Sequence, residues 1–232
     1  MTISNDSRAR VKAVFEPVAL AMGRAGLTPD ALTLIGFAIT VVGAVLLAMQ
    51  LWLLGGLVVF VGGVFDMFDG TLARATGQVS RLGAFMDSVF DRWGEAIVYL
   101  GLIAGLIGSG WADAPLYAAA ALVGAFMVSY ARAKAEGLGF SAGTGMAAVG
   151  IMPREVRLVI LTSGLVVGGL TMTAMVEPGG GLAGGAALPL GILVIEIALA
   201  IIAVGATITV IQRILHVRHQ AKRQTTTPTT SQ

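Results

Sequence analysis

Four stretches of this sequence run almost free of charge: Leu32 to Met49, Leu53 to Phe65, Ile97 to Ile107 and Leu190 to Ile211. No soluble core absorbs that much apolar surface while leaving so little charge to cover the outside. The chain is 56% hydrophobic and 12% charged, against about half and a quarter in soluble domains. A bilayer is the solvent such segments need. Lipid satisfies no backbone hydrogen bonds, so the spans must be helical. The expected fold class is all-α and integral to a membrane.

Hydropathy divides the chain into six expected transmembrane helices, roughly 31–49, 53–75, 82–108, 114–136, 153–175 and 188–215. Ahead of them, residues 7–24 set Val11, Val14, Phe15, Val18 and Met22 at helical spacing among Arg8, Arg10, Lys12 and Arg24. That is the pattern of a helix lying in the membrane interface, with Pro17 starting or kinking its second half. The expected organisation is therefore an amphipathic segment over 1–30, a six-helix domain over 31–216 and a polar, disordered tail over 217–232. Pro178 to Gly185 reads as a flexible external loop. The first apolar run follows about thirty polar and basic residues, too late and too long for a cleavable signal peptide. With no cysteine in the chain, disulfides and thiolate metal sites are excluded.

Orientation follows from the basic residues. All 15 Lys and Arg lie in the N-terminal segment, in 74–92, in 132–157 or from Arg213 onward. The alternate loops, around Gln50, from Gly110 to Ala114 and from Val176 to Leu188, hold none. The positive-inside rule places both termini and the 2–3 and 4–5 connections in the cytosol, as expected of a multi-pass protein of the inner membrane.

The informative residues are the charges that lie inside apolar helices. Asp66 and Asp69 are i, i+3 neighbours; Asp87 and Asp91 are i, i+4 neighbours. Each pair occupies one helix face. Asp66 precedes Arg74 by eight residues, roughly 12 Å of helix. The turn from Ala75 to Arg81 is short, so the two helices are expected to lie antiparallel and adjacent with their aspartates converging. Four carboxylates at that depth call for compensating charge, and oxygen ligands select hard divalent cations. Two such ions could grip a pyrophosphate. Two other readings stand beside this one: a structural salt network with Arg74, Arg81 and Arg92, and an ion pathway of a cation transporter. Gly70, Ala73 and Gly83 on the aspartate face leave room for a bulky ligand, which an ion pathway does not require.

Read in full, the segment is Asp66-x-x-Asp69-Gly70-x-x-Ala73-Arg74, eight residues, then Gly83-x-x-x-Asp87-x-x-x-Asp91. This resembles the signature of the CDP-alcohol phosphatidyltransferases at every specified position, and the likeness extends over roughly residues 11–216. The resemblance implies a transferase that displaces CMP from a CDP-linked lipid, CDP-diacylglycerol, by the hydroxyl of a polar acceptor. It implies that Asp66, Asp69, Asp87 and Asp91 hold Mg²⁺ or Mn²⁺, with two ions, and that Asp91 takes the proton of the attacking hydroxyl. Pro29, Thr33, Asp69, Gly70, Ala73, Arg74 and Gly83 would form the site of the CDP donor. A homodimer among membrane lipids is implied as well; no nucleic-acid partner is expected.

The acceptor is read from the surroundings. Asp87-Ser88-Val89-Phe90-Asp91-Arg92 departs from the Asp-Pro-x-Ala-Asp-Lys typical of members that use glycerol 3-phosphate, and Arg92-Trp93-Gly94-Glu95 does not resemble the serine-using members. Gly26-Leu27-Thr28-Pro29-Asp30-x-x-Thr33 and Ser129-Tyr130 with Arg132, Lys134 and Glu136 resemble the phosphatidylinositol-phosphate synthases, which use inositol 1-phosphate. Those enzymes usually carry Lys three residues after the serine, where this chain has Arg132. Ser129, Arg132, Arg154, Arg157 and Arg213 are the expected cradle for the acceptor's phosphate, a group that guanidinium forks suit. Basic anchors on anionic lipid head groups are the other reading, preferred for Arg218, Lys222 and Arg223. The remaining alternative of the same chemistry is glycerol 3-phosphate or another alcohol as acceptor. His216 and His219 read as a solvated face, and Glu95 and Glu196 receive no role.

Overall fold

In the computed structural model, residues 5–140, 146–174 and 187–226 are described. They form α1 (Asn5–Arg24), α2 (Pro29–Ala48), α3 (Trp52–Thr76), α4 (Arg81–Gly108), α5 (Ala114–Gly137), α6 (Arg154–Ala174) and α7 (Ala187–Thr226), with one 3₁₀ turn at Met146–Ala148 and no strand among the described residues. Five of these helices, α2, α3, α5, α6 and α7, are long and apolar enough to cross a membrane. The remaining expected span, 82–108, coincides with α4, whose first half carries Asp87, Asp91, Arg92 and Glu95. The glycine-rich stretch Pro178 to Gly185 lies outside the described residues.

The chain divides into two compact units, Met1–Ser109 and Gly110–Gln232. In the first, α2 is the central helix: α3 and α4 both pack along it, and α1 packs on α3. The sequence suggests that α3 and α4 lie antiparallel and adjacent; the main neighbour of each is instead α2. The difference has a steric origin in the small residues of α2 and its partners. A Cβ on Gly43 would stand 2.7 Å from Val59 Cγ2, and one on Gly62 would stand 2.5 Å from Thr40 Oγ1. On the other side, a Cβ on Gly101 or Gly105 would overlap the carbonyl oxygen of Ala44 or Leu47. Backbones this close gain dispersion contacts that larger side chains would prevent, the usual basis of helix association in lipid.

The helix ends have local causes. The Thr28 hydroxyl accepts a hydrogen bond from the Ala31 amide at 3.2 Å, and Pro29 opens the first turn of α2. Ser80 Oγ caps α4 by accepting from the Gly83 amide at 2.9 Å. The end of α3 is Gly77, at φ +71°, where a glycine takes the left-handed conformation without strain. Helix α1 runs unbroken through Pro17. It meets α3 through Phe15, whose ring centroid lies 5.1 Å from that of Phe68, and through Ala19 and Met22 in the cluster around Leu32 and Leu72. Val18, expected on the apolar face, is exposed.

In the second unit, α7 is central to α5 and α6, again through small residues: a Cβ on Gly124 would stand 2.8 Å from Ala206 Cβ, and one on Gly164 would stand 2.5 Å from Ala198 Cβ. The helix continues past its expected end near 215 to Thr226. The segment His216 to Arg223 contains no Gly or Pro to stop it, and the first breaker is Pro228. Of the tail expected to be disordered, residues 217–226 are thus helical, and 227–232 lie outside the described residues.

Gly101→Val and Gly105→Val are expected to lower the melting temperature of the detergent-purified protein, because the overlapping atoms are backbone and cannot rotate away. Overpacking of this kind costs about 1–3 kcal/mol or more. Leu100→Val, on the exposed face of α4, is the matched control and should melt as the parent does. Equal melting of all three would contradict the packing described.

Candidate active site

Asp66 and Asp69 extend from α3 and Asp87 from α4, and each offers a carboxylate oxygen within 4.8 Å of the others. The convergence depends on α2. At Gly36, α2 meets the Asp66 backbone, a Cβ there falling in van der Waals contact 3.5 Å from the Asp66 amide nitrogen. On the other flank, Phe37 of α2 packs against Phe90 of α4 with ring centroids 5.0 Å apart.

Asp69 is the most buried of the three. It is 6% exposed. Its Oδ2 accepts from the Thr33 hydroxyl at 2.6 Å, and its Oδ1 accepts from the Gly70 amide. Three carboxylates held this close repel one another, and a hard cation coordinated by their oxygens relieves the repulsion. The donor set is all oxygen, as Mg²⁺ and Mn²⁺ prefer. The residues therefore fit a divalent metal.

Asp91 stands apart from the trio. Its Oδ2 lies 3.3 Å from Arg92 Nη2, and Arg92 Nη1 lies 3.9 Å from Glu95 Oε2. A full helical turn separates Asp91 from Asp87, about 6 Å along the axis, and the arginine draws its carboxylate toward its own side. The structure thus gathers three of the four aspartates and leaves the fourth with a cation beside it.

Next to the trio is a cavity of about 450 Å³. Pro29 and Thr33 of α2 line it, with Asp69, Gly70, Ala73 and Arg74 of α3 and Gly83 and Asp87 of α4. Every residue that the sequence suggests for a nucleotide donor faces this one space. The Arg74 guanidinium folds back along its own helix: a Cβ on Gly70 would stand 3.1 Å from Arg74 Nη1, and Nη2 is 3.5 Å from Thr71 Oγ1. Glycine at position 70 keeps the path between arginine and cavity open. Sequence reasoning passed over other lining residues, among them Asp30, Gln78 and Ser80. Asp30 lies inside the N-terminal stretch already singled out, and Ser80 is a helix cap; neither carries a signal of its own in an isolated sequence.

The residues expected to bind an acceptor phosphate all belong to the second unit, and they differ in environment. Arg157 is 1% exposed and donates from Nη1 to the Met152 carbonyl at 3.0 Å. Arg213 is 4% exposed, donates from Nε to the Val149 carbonyl at 3.0 Å and from Nη1 to the Val128 carbonyl. Thr209 joins them, accepting from the Met152 amide at 3.0 Å. Arg157 and Arg213 thus fasten the segment 149–152, a role with no signal in the sequence. Arg132 is exposed on α5 and pairs with Glu136 at 3.0 Å. Ser129 bonds back to the Ala125 carbonyl at 3.1 Å, and Arg154 opens α6. Outside these groups, His216 Nε2 lies 2.8 Å from Gln220 Nε2.

The sequence profile of the CDP-alcohol phosphatidyltransferases matches residues 26–229. The chain belongs to the CDP-alcohol phosphatidyltransferase family. It is accordingly an enzyme, a transferase. Among its relatives, the phosphatidylinositol phosphate synthase of Mycolicibacterium smegmatis is 36% identical over 223 residues, 91% of this chain and 87% of the relative. The archaetidylinositol phosphate synthase of Pyrococcus horikoshii is 39% identical over 155 residues, 66% of this chain and 77% of the relative. Among solved structures, the Mycobacterium tuberculosis phosphatidylinositol phosphate synthase with CDP-DAG bound is similar at a TM-score of 0.71 and 29% identity, covering 88% of this chain and 94% of that one. The same mycobacterial enzyme in complex with manganese and citrate gives a TM-score of 0.70 at 30% identity, covering 88% of each chain.

Within this phosphatidyltransferase, Asp66→Asn, Asp69→Asn and Asp87→Asn are each expected to weaken Mn²⁺ binding by at least tenfold, since each removes one anionic ligand. The check is isothermal titration of Mn²⁺ into purified protein. A variant of the trio that binds Mn²⁺ as the parent does would remove that residue from the ligand set.

Proposed function

We propose that this enzyme transfers the phosphatidyl group of CDP-diacylglycerol to inositol 1-phosphate, releasing CMP and forming a phosphatidylinositol phosphate. The observation that carries this reading is the single cavity lined by Pro29, Thr33, Asp69, Gly70, Ala73, Arg74, Gly83 and Asp87, with two of the clustered carboxylates on its wall. The names of the relatives and the CDP-DAG complex of a structural neighbour support the same donor and headgroup.

In this reading Asp66, Asp69 and Asp87 hold Mg²⁺ or Mn²⁺, with Asp91 sharing in a two-ion site; the manganese complex of the neighbour supports the choice of metal. Bound there, the metal neutralises the donor's pyrophosphate so that CMP can leave as an anion. The protein supplies the positioning. The cavity seats the cytidine diphosphate, and Arg74 covers it from the α3 side. Asp91, which lies 3.3 Å from Arg92 Nη2, accepts the proton of the acceptor hydroxyl as the hydroxyl oxygen bonds to phosphorus and the pyrophosphate P–O bond breaks. Direct attack requires no nucleophilic side chain, and the work is orientation and electrostatic stabilisation.

Ser129, Arg132, Arg154, Arg157 and Arg213 take the acceptor's phosphate. Arg157 and Arg213 do so from positions already fixed by backbone carbonyls, which preorganises their forks. The architecture that goes with this function has α4 as the sixth membrane span, α1 in the interface, both termini in the cytosol and a homodimer.

The test is CMP release by the purified protein given CDP-diacylglycerol and Mg²⁺ with inositol 1-phosphate, glycerol 3-phosphate, free inositol or serine as separate acceptors. Release is expected with inositol 1-phosphate alone and should fall at least 10²-fold in Asp91→Asn, the loss general-base removal brings. Release with glycerol 3-phosphate instead would overturn the headgroup. Arg154→Ala is expected to raise the KM for inositol 1-phosphate by about tenfold, one charge-assisted contact, with the KM for the donor unchanged. A rise in the donor KM instead would remove Arg154 from the acceptor's site.

A further inference from the structure

We infer that Thr33 is a positioning residue for the ligand Asp69, setting how tightly the carboxylate trio takes a divalent cation. The inference rests on the metal reading of the trio given under the proposed function. It starts from one proton. The Thr33 hydroxyl has two acceptors in reach, the Pro29 carbonyl at 3.2 Å and Asp69 Oδ2 at 2.6 Å. A hydroxyl donates once, and the shorter, charge-assisted bond takes the proton. Thr33 and Asp69 are each 6% exposed, so water competes poorly for either group.

The other carboxylate oxygen is held by the Gly70 amide. Asp69 is thereby fixed at both oxygens, by its own helix on one side and by α2 on the other. Each oxygen keeps a lone pair for a cation. The α2 helix supplies no carboxylate to the trio, but through Thr33 it sets the plane of one that does. The cap formed by Thr28 and Pro29 starts α2 one turn before Thr33 and fixes where that hydroxyl lies.

Thr33 lines the cavity, and its hydroxyl proton is directed to Asp69 Oδ2. Partners that orient a ligand in this way typically account for 10–100-fold in metal affinity.

The test is titration of the full-length protein in detergent with Mn²⁺, following the free ion by its paramagnetic resonance signal, with no donor present. Thr33→Val keeps the shape and removes the hydroxyl; it is expected to weaken Mn²⁺ binding by about 10–100-fold. Thr33→Ala, which removes the hydroxyl by a different route, should do the same. Thr33→Ser keeps the hydroxyl and should bind nearly as the parent does. Unchanged Mn²⁺ affinity in a folded Thr33→Val or Thr33→Ala would overturn the inference. A parent protein with no saturable Mn²⁺ binding would overturn the metal reading of the trio, and this inference with it.

Discussion

The close approach of backbones around α2 is the constraint on which the first unit depends. In a bilayer the lipid tails are as apolar as any leucine, so helices gain little by merely hiding from their surroundings. What holds α3 and α4 to α2 is contact area, and the area exists because Gly43, Gly62, Gly101 and Gly105 bring no side chain to the seam. The outward faces remain apolar, with Val42, Val45, Leu57 and Val61 about half exposed. Polarity is concentrated at one end of this arrangement, where the aspartates lie.

That packing explains how a site with ligands on two helices is assembled through a third. Asp66, Asp69 and Asp87 meet because α3 and α4 are both docked on α2. Moving either helix outward by the width of a methyl group would separate the oxygens beyond what one ion can bridge, since metal–oxygen bonds allow only tenths of an ångström. The glycines of the motif serve a second purpose nearby, leaving the space that Arg74 crosses and the cavity occupies. Small residues therefore do two jobs here: far from the aspartates they hold the helices, and beside the aspartates they admit a ligand.

Much of this was legible in the sequence because charge is so informative inside apolar helices. Asp66, Asp69, Asp87 and Asp91 stand out from their neighbours, and the spacing of Gly70, Ala73, Arg74 and Gly83 around them identifies the family and the lining of the cavity. Helix positions were legible for the same reason, to within a few residues at most ends. The central place of α2 was not. Gly36 and Gly43 look like any small residues of an apolar run, and only the fold shows what they face. The separation of Asp91 from the trio was equally hidden, since i, i+4 spacing gives a shared face but not the pull of Arg92. Arg157 and Arg213 are visible as cations, but their bonds to the Met152 and Val149 carbonyls depend on where the segment 149–152 lies, and the bond to the Val128 carbonyl depends on the packing of α7 on α5. The reach of α7 to Thr226 is not legible because hydropathy ends near residue 215 while the helix continues.

The central claim is that a metal held by Asp66, Asp69 and Asp87 and a nucleotide in the adjacent cavity form one catalytic site. The most direct measurement is anomalous diffraction at the manganese edge from crystals grown with Mn²⁺ and CDP-diacylglycerol. Anomalous density is expected between those three carboxylates, with the cytidine diphosphate in the space bounded by Pro29, Gly70, Ala73 and Gly83. Manganese bound away from the trio, or a nucleotide seated outside that cavity, would contradict it.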